Sequence, residues 1–139
     1  MTLLLDTVIV SELRRVRPDP GVARWMSKQA DDQLYLSVVT LGEVERGIEK
    51  RRADDPEFAA TLEAWLENLA RLYADRILPV TPAIARRWGR LSAQPGHDGA
   101  DLLIAATALT HGLAVVTRNT KHFEPAGVAV VNPFSRMRG

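Results

Sequence analysis

At 139 residues, 46% of them hydrophobic, the chain is long enough for one domain with a real core and short for two. It has no cysteine, no apolar run approaching a membrane span and no charged-then-apolar amino terminus, which argues against disulfides, membrane insertion and secretion; a single cytoplasmic domain over residues 1–139 is the expectation. Eighteen Lys plus Arg against seventeen Asp plus Glu leave a net charge of +1, far from the basicity of a non-specific nucleic-acid coat, so any nucleic-acid contact must be local.

In chain order, Thr2 to Leu5 reads as a short apolar strand ending at Asp6, followed by helical spacing through Val8, Ile9 and Leu13 from Thr7 to Arg15. Gly21 to Ala30 reads as a second helix and Leu34 to Val38 as a second strand. Thr40-Leu41-Gly42-Glu43 matches a capping box, with Thr40 as N-cap and Glu43 at the third helical position, opening a helix to about Arg52. Asp55-Pro56 starts a long amphipathic helix to about Ala74, with Phe58, Leu62, Trp65, Leu69 and Leu72 on one face and Leu66 and Tyr73 widening it; part of that face could meet another subunit or all of it this chain's own core. Ile77 to Val80 is a third strand, Thr81-Pro82 caps a helix carrying Ile84, Trp88 and Leu91, and Gln94 to Gly99 is a loop in which Asp98 suits a helix cap. Residues 101 to 111 then form a helix that is apolar on nearly every side, Gly112 supplies its left-handed stop, and Leu113 to Val116 is a fully apolar strand. Arg118 to Phe123 is at most one helical turn, and Val128 to Val131 is a fifth strand before a basic tail at Arg136 and Arg138.

Strands separated by helices throughout predict an α/β fold whose parallel sheet is covered on both faces, with chemistry at the carboxyl ends of the strands. Asp6 ends the first strand, Glu43 follows the second, and Asn119 lies just past the fourth. Asp101 opens a helix that has almost nothing polar to show water, yet a simple layout puts it at the opposite edge of the sheet. Singly, each acid has an ordinary structural reading, as N-cap, capping-box glutamate or dipole partner. Clustered, three carboxylates repel and raise one another's pKa unless a hard cation such as Mg²⁺ or Mn²⁺ sits among them. The hydroxyls of Thr7, Ser11 and Ser37 lack a neighbouring histidine to activate them, and His97, His111 and His122 lack zinc-ligand spacing. Arg14, Arg15 and Arg17, or Arg46 with Lys50 to Arg52, could hold RNA phosphates, although such runs at helix ends are commonly solvated faces; Trp25, Trp65 and Trp88 sit on apolar stripes and read as core.

Leu4-Leu5-Asp6-Thr7, Thr40-Leu41-Gly42-Glu43-Val44-Glu45-Arg46-Gly47, Asp101-Leu-Leu-Ile-Ala-Ala-Thr-Ala and Val116-Thr117-Arg118-Asn119-Thr120, in that order over nearly the whole chain, resemble the PIN-domain family. Within it the chain is most similar to the toxins of VapBC toxin-antitoxin pairs, and Arg76-Ile77-Leu78-Pro79 and Asn132-Pro133-Phe134 resemble the FitB-like branch. The resemblance implies a three-layer α/β/α sandwich with five parallel strands in the order 3-2-1-4-5, a topology that brings the first turn of the central helix to the acidic site. It also implies a Mg²⁺-dependent endoribonuclease, with Mn²⁺ able to substitute, that hydrolyses RNA phosphodiesters and is silenced by a cognate VapB-like antitoxin, as a homodimer within a larger toxin-antitoxin assembly. Matched residue by residue, Asp6, Glu43 and Asp101 fall on the family's metal-site acids, Thr117 on the hydroxyl beside them, and Asn119 can orient water or substrate. The chain departs from the pattern at Val8, where Asn commonly holds the first acid, and at Asn119 and His122, either of which stands where a fourth acid occurs. Two rival readings are a binding-only or catalytically weak PIN domain and a phosphoacceptor receiver-like domain; the latter needs an Asp ending strand three, where Leu78-Pro79-Val80 stands.

Overall fold

In the computed structural model, which describes residues 1–94 and 99–135, alternate residues of each inner strand face opposite sides of one sheet. The strands are β1 (Leu3–Leu5), β2 (Leu34–Ser37), β3 (Ile77–Leu78), β4 (Ala114–Val116) and β5 (Val130–Val131), all parallel and ordered β3-β2-β1-β4-β5. Parallel strands cannot be joined by tight turns, so helices carry the crossovers: α1 (Thr7–Leu13), α2 (Pro20–Ser27), α3 (Val38–Arg52), α4 (Pro56–Leu72), α5 (Pro82–Ser92), α6 (Ala100–His111) and α7 (Thr120–Phe123). This strand order differs from the 2-1-3-4-5 order of receiver-type folds and removes that rival.

Leu3, Leu5, Leu34, Leu36, Ala114 and Val116 project to one face, where Ile9 and Val10 of α1, Leu69 of α4 and, half-buried, Trp25 and Met26 of α2 cover them. Leu4 and Val115 project to the other, against Ile104, Ala105 and Ala108 of α6 and Phe123 of α7. The side-chain period of two in the strands thus produces the three-layer sandwich. The central helix is buried at Leu102, Ile104, Ala105, Ala106, Thr107 and Ala108, and it stops at Gly112, whose φ of +68° is open to glycine without steric cost.

Several boundaries move. The third and fifth strands contract to Ile77–Leu78 and Val130–Val131, because edge strands lacking a second neighbour pair only where the partner's ladder reaches. The second helix begins at Pro20 and ends at Ser27 rather than Ala30, and the long helix ends at Leu72 with Tyr73 as its C-cap. Short 3₁₀ turns at Asp31–Gln33, Ala74–Arg76 and Glu124–Ala126, absent from the periodicity reading, lead into strands. Thr40 is not an N-cap: α3 starts two residues earlier, with the Ser37 hydroxyl accepting from Val39 N–H at 3.0 Å. Trp25 and Trp65 join the core as expected, whereas Trp88 is 38% exposed, and on α4 Leu72 points outward at 62% exposure while Leu62 and Leu69 are buried. His97, Asp98, Arg136 and Arg138 lie outside the described residues, and the N-cap position of α6 is Gly99. No described helix is long and apolar enough to cross a membrane.

Candidate metal and phosphodiester site

Register builds the site. Leu5 on β1 pairs with Val116 on β4, so the next residues, Asp6 and Thr117, emerge side by side at the carboxyl edge of the two central strands, with Asp6 N–H donating to Val116 O at 3.0 Å. Asp6 is 2% exposed and Thr117 is fully buried. One Asp6 oxygen accepts from the Thr7 backbone N–H at 2.8 Å, as its N-cap role requires, and the other accepts from the Thr117 hydroxyl at 2.8 Å. Both carboxylate oxygens are therefore held without the side chain at position 8, each keeping a lone pair to offer; Val8 instead packs on the apolar face of the sheet, and Thr117 supplies the grip that the missing asparagine would give.

Glu43 sits in the second turn of α3, beyond capping reach now that Ser37 holds the cap. Its carboxylate accepts from the Thr7 hydroxyl at 2.5 Å, and that hydroxyl lies 3.0 Å from the Thr40 hydroxyl. Thr40 and Glu43, three apart on one helix face, thus turn toward α1. Asp101, in the first turn of α6, does reach this edge of the sheet: its negative charge acts on Asp6. The simple layout that placed it at the opposite edge fails because α6 feeds the amino end of β4 and so runs antiparallel to it, which leaves its first turn at the carboxyl edge. Asp101 is 28% exposed at its side chain and receives a partner that spacing did not indicate, His122 of α7, whose Nδ1 lies 2.7 Å from Asp101 Oδ2. Asn119 donates its backbone N–H to the Thr117 hydroxyl at 2.9 Å, and its own side chain makes no cap hydrogen bond.

The electrostatics agree with the geometry. The Asp6 carboxyl is pushed from 3.8 up to about 6, chiefly by burial, with Asp101 and Glu43 adding repulsion and the Thr117 and Thr7 hydrogen bonds opposing the rise. A carboxylate held ionised there at neutral pH is a standing cost to the fold, one that a divalent cation would relieve. All the donors are hard oxygens, which fit Mg²⁺ or Mn²⁺ better than a soft metal.

Among the described residues, the three acids whose oxygens all lie within 4.8 Å of one another are different ones, Glu45, Glu49 and Glu63; Asp6, Glu43 and Asp101 are not drawn that close. The outer cluster already has its cation, since Arg52 pairs with both Glu49, at 3.0 Å, and Glu63. Glu45 beside them is raised by desolvation first and by Glu63 next.

Sequence reasoning missed the parts played by Thr7, Thr40 and His122. Thr7 was readable as more than a cap only through its position directly after Asp6, and Thr40 through its i,i+3 relation to Glu43; His122 carried no local signal, because its partner lies 21 positions away.

A PIN-domain model matches residues 3–128. The chain is 38% identical to the VapC ribonuclease Y4jK of Sinorhizobium fredii, over 95% of this chain and 97% of that one. It is 33% identical to the toxin FitB of Neisseria gonorrhoeae, over 95% and 98% of the two chains. In structure it is similar to FitAcB from the same organism, with a TM-score of 0.84 at 34% identity over 95% of this chain and 98% of that one.

Proposed function

Because this chain belongs to the PIN-domain family, we propose that it is a metal-dependent endoribonuclease, the toxin of a toxin-antitoxin pair, acting as one nuclease domain over residues 1–139. Asp6, Glu43 and Asp101 are the proposed ligands, with Mg²⁺ as the working ion and Mn²⁺ as a substitute. The observation that carries this reading is Asp6 itself, a buried carboxyl raised to about 6 by desolvation and by two further acids, one from α3 and one from α6. When bound, the ion would supply Lewis-acid neutralisation of the phosphate charge and make a water nucleophilic at neutral pH.

The chain's own residues do the rest. Thr117 and the Thr7 N–H fix both Asp6 oxygens, so the side chain needs no reorganisation to present its charge. The Thr7 hydroxyl orients Glu43, and His122 orients Asp101, leaving one oxygen of each acid free to face the others. Asn119, whose backbone N–H donates to the Thr117 hydroxyl, would hydrogen-bond water or a phosphate oxygen through its amide. A partner's arginine entering this pocket would pair with the same carboxylates in bidentate fashion, which supports silencing by a VapB-like antitoxin. Leu72, exposed at the end of α4, supports a homodimer within a larger toxin-antitoxin assembly, and the absence of any membrane-length helix among the described residues accords with a cytoplasmic site of action.

A second reading, a binding-only domain, is favoured by Asn119 and His122 at the positions where a fourth acid occurs. Incubating purified protein with single-stranded RNA, in EDTA and after Mg²⁺ addition, separates the two. Cleavage that appears with Mg²⁺ and is lost in Asp101→Asn supports the ribonuclease; retention of intact RNA under both conditions supports the binder.

A further inference from the structure

A cleft of about 210 Å³ opens from the acidic site between α1, α3 and α4. Its walls are two stripes: Thr7 and Ser11 on α1 with Arg14 at its C-cap, and Glu43, Gly47 and Arg51 on α3, with Trp65 of α4 also lining it. Spacings of i, i+4 and i+7 or i+8 put each set on one face, so the cleft runs about 10 Å from Thr7 to Arg14 at the helical rise per residue. One end is the metal-site acid Glu43 with Thr7; the other is a pair of guanidiniums. Arg51 lies 4.8 Å and Arg14 5.9 Å from the centroid of the Phe58 ring, which holds both by cation-π contact. Among the described residues neither makes an ion pair, whereas Arg15, Arg52 and Arg76 all do.

We propose that this cleft is the subsite for single-stranded RNA next to the scissile bond, with Arg14 and Arg51 holding a backbone phosphate and the Trp65-lined interior taking one unpaired base. The inference rests on the ribonuclease reading and adds where the strand lies. Two unpaired cations at the far end of a groove that begins at the reacting site complement a polyanion that must extend beyond the bond being cut. The volume is below the roughly 300 Å³ at which drug-sized pockets begin, which suits one base and not a base pair, so the strand must be unpaired to enter. An aromatic wall is sequence-tolerant, since every base has a π-face. Gly47 lines the cleft without a side chain, and a Cβ there would meet nothing within 4 Å.

The probe is a short fluorescein-labelled oligouridylate, followed by anisotropy across a salt series with Ca²⁺ in place of Mg²⁺ so that the strand is retained. Arg14→Gln/Arg51→Gln should lower the slope of log affinity against log salt by about 0.7, the share of the one backbone phosphate that the pair neutralises on a single strand. It should also raise KM for RNA cleavage more than it lowers kcat. Gly47→Leu, which fills the cleft while removing a helix glycine, should weaken binding several-fold with an unchanged or raised melting temperature. Arg86→Gln/Arg87→Gln on α5 is the control and should change neither. An unchanged salt slope and KM in the Arg14/Arg51 pair, or parent-like binding by Gly47→Leu, overturns the proposal. So does a pair that binds RNA normally but escapes inhibition by the co-expressed antitoxin, since the cleft is then a protein-docking groove. A parent that cuts RNA while the variants behave like it removes this inference alone; a parent that neither binds nor cuts RNA removes the ribonuclease reading with it.

Discussion

Replacing Asp6 by asparagine removes a charge that the fold holds at a cost. The Asp6 side chain is 2% exposed, and its carboxyl is raised from 3.8 to about 6 by burial first, with Asp101 and Glu43 contributing. An acid whose folded-state pKa exceeds its unfolded value stabilises the fold while protonated. That contribution is complete below pH 3.8, fades as pH rises through about 6, and its loss by pH 7.5 amounts to about 3 kcal/mol. Asparagine carries no charge but offers one acceptor oxygen where the carboxylate offers two. Either the Thr7 N–H or the Thr117 hydroxyl therefore loses its partner, which costs about 1 kcal/mol. The variant should be more stable than the parent by about 2 kcal/mol at pH 7.5 in EDTA, which for a chain of this size is about 6 °C in Tm. At pH 4.5 the folded carboxyl is largely protonated but the unfolded one is still mostly ionised, so the two proteins should be about equally stable; by about pH 3 the order should reverse by about 1 kcal/mol. Thermal melts of both proteins in EDTA between these pH values read the difference directly, and added Mg²⁺ should raise the parent's Tm and leave the variant's nearly unmoved. A variant that melts below the parent by the same margin at every pH would refute the claim that Asp6 is a buried, repelled carboxylate.

The capping argument separates the N-cap of α3 from a residue on it: Ser37→Ala should cost about 1 kcal/mol in stability, whereas Glu43→Gln should leave stability within about 0.5 kcal/mol of the parent and abolish cleavage, as melts and an RNA assay on both proteins would show. Gly112→Ala places a side chain at φ +68° at the end of α6 and should destabilise by about 1 kcal/mol in urea unfolding; a neutral result would mean that helix terminates differently. Gly21→Ala brings a Cβ to 2.5 Å from Pro133 O and 2.7 Å from Ser135 N, so the segment 133–135 must lift off α2, visible as a lower Tm and faster proteolysis near the carboxyl terminus.

The inner strands were legible because their composition leaves no other reading. Leu3–Leu5 and Ala114–Val116 are unbroken apolar runs between turn signals, and a run buried on both faces belongs inside a parallel sheet. The order of the strands was not legible from spacing; it came with the family resemblance, because crossover helices of similar length permit more than one arrangement. Thr40-Leu41-Gly42-Glu43 misled for a specific reason: Ser37 stands three residues ahead of Thr40, both can cap, and Val38-Val39 look like strand while forming the first turn of α3. With the start of the helix misplaced by one turn, spacing alone gave Glu43 a capping role, and only the family resemblance gave it a place among the acids. Asp101 was conspicuous as the polar residue of an apolar helix, yet its place at the carboxyl edge depends on α6 running antiparallel to β4, which spacing did not indicate. The pairing of His122 with Asp101 is a tertiary contact that no motif encodes.

The central claim is that Asp6, Glu43 and Asp101 hold a hard divalent ion that hydrolyses RNA with water as nucleophile. The measurement closest to it is analysis of the ends left on cleaved RNA, with the ion removed and restored. The account predicts 5′-phosphate and 3′-hydroxyl ends, complete loss of cutting in EDTA, and recovery with Mg²⁺ or Mn²⁺ but little with Ca²⁺, whose looser coordination positions water and phosphate poorly. Attack by the RNA's own 2′-hydroxyl would need a general base and acid, commonly paired histidines, and His122 is instead committed to Asp101. Cyclic 2′,3′-phosphate ends, or cleavage that persists in EDTA in preparations freed of contaminating nuclease, would contradict the account.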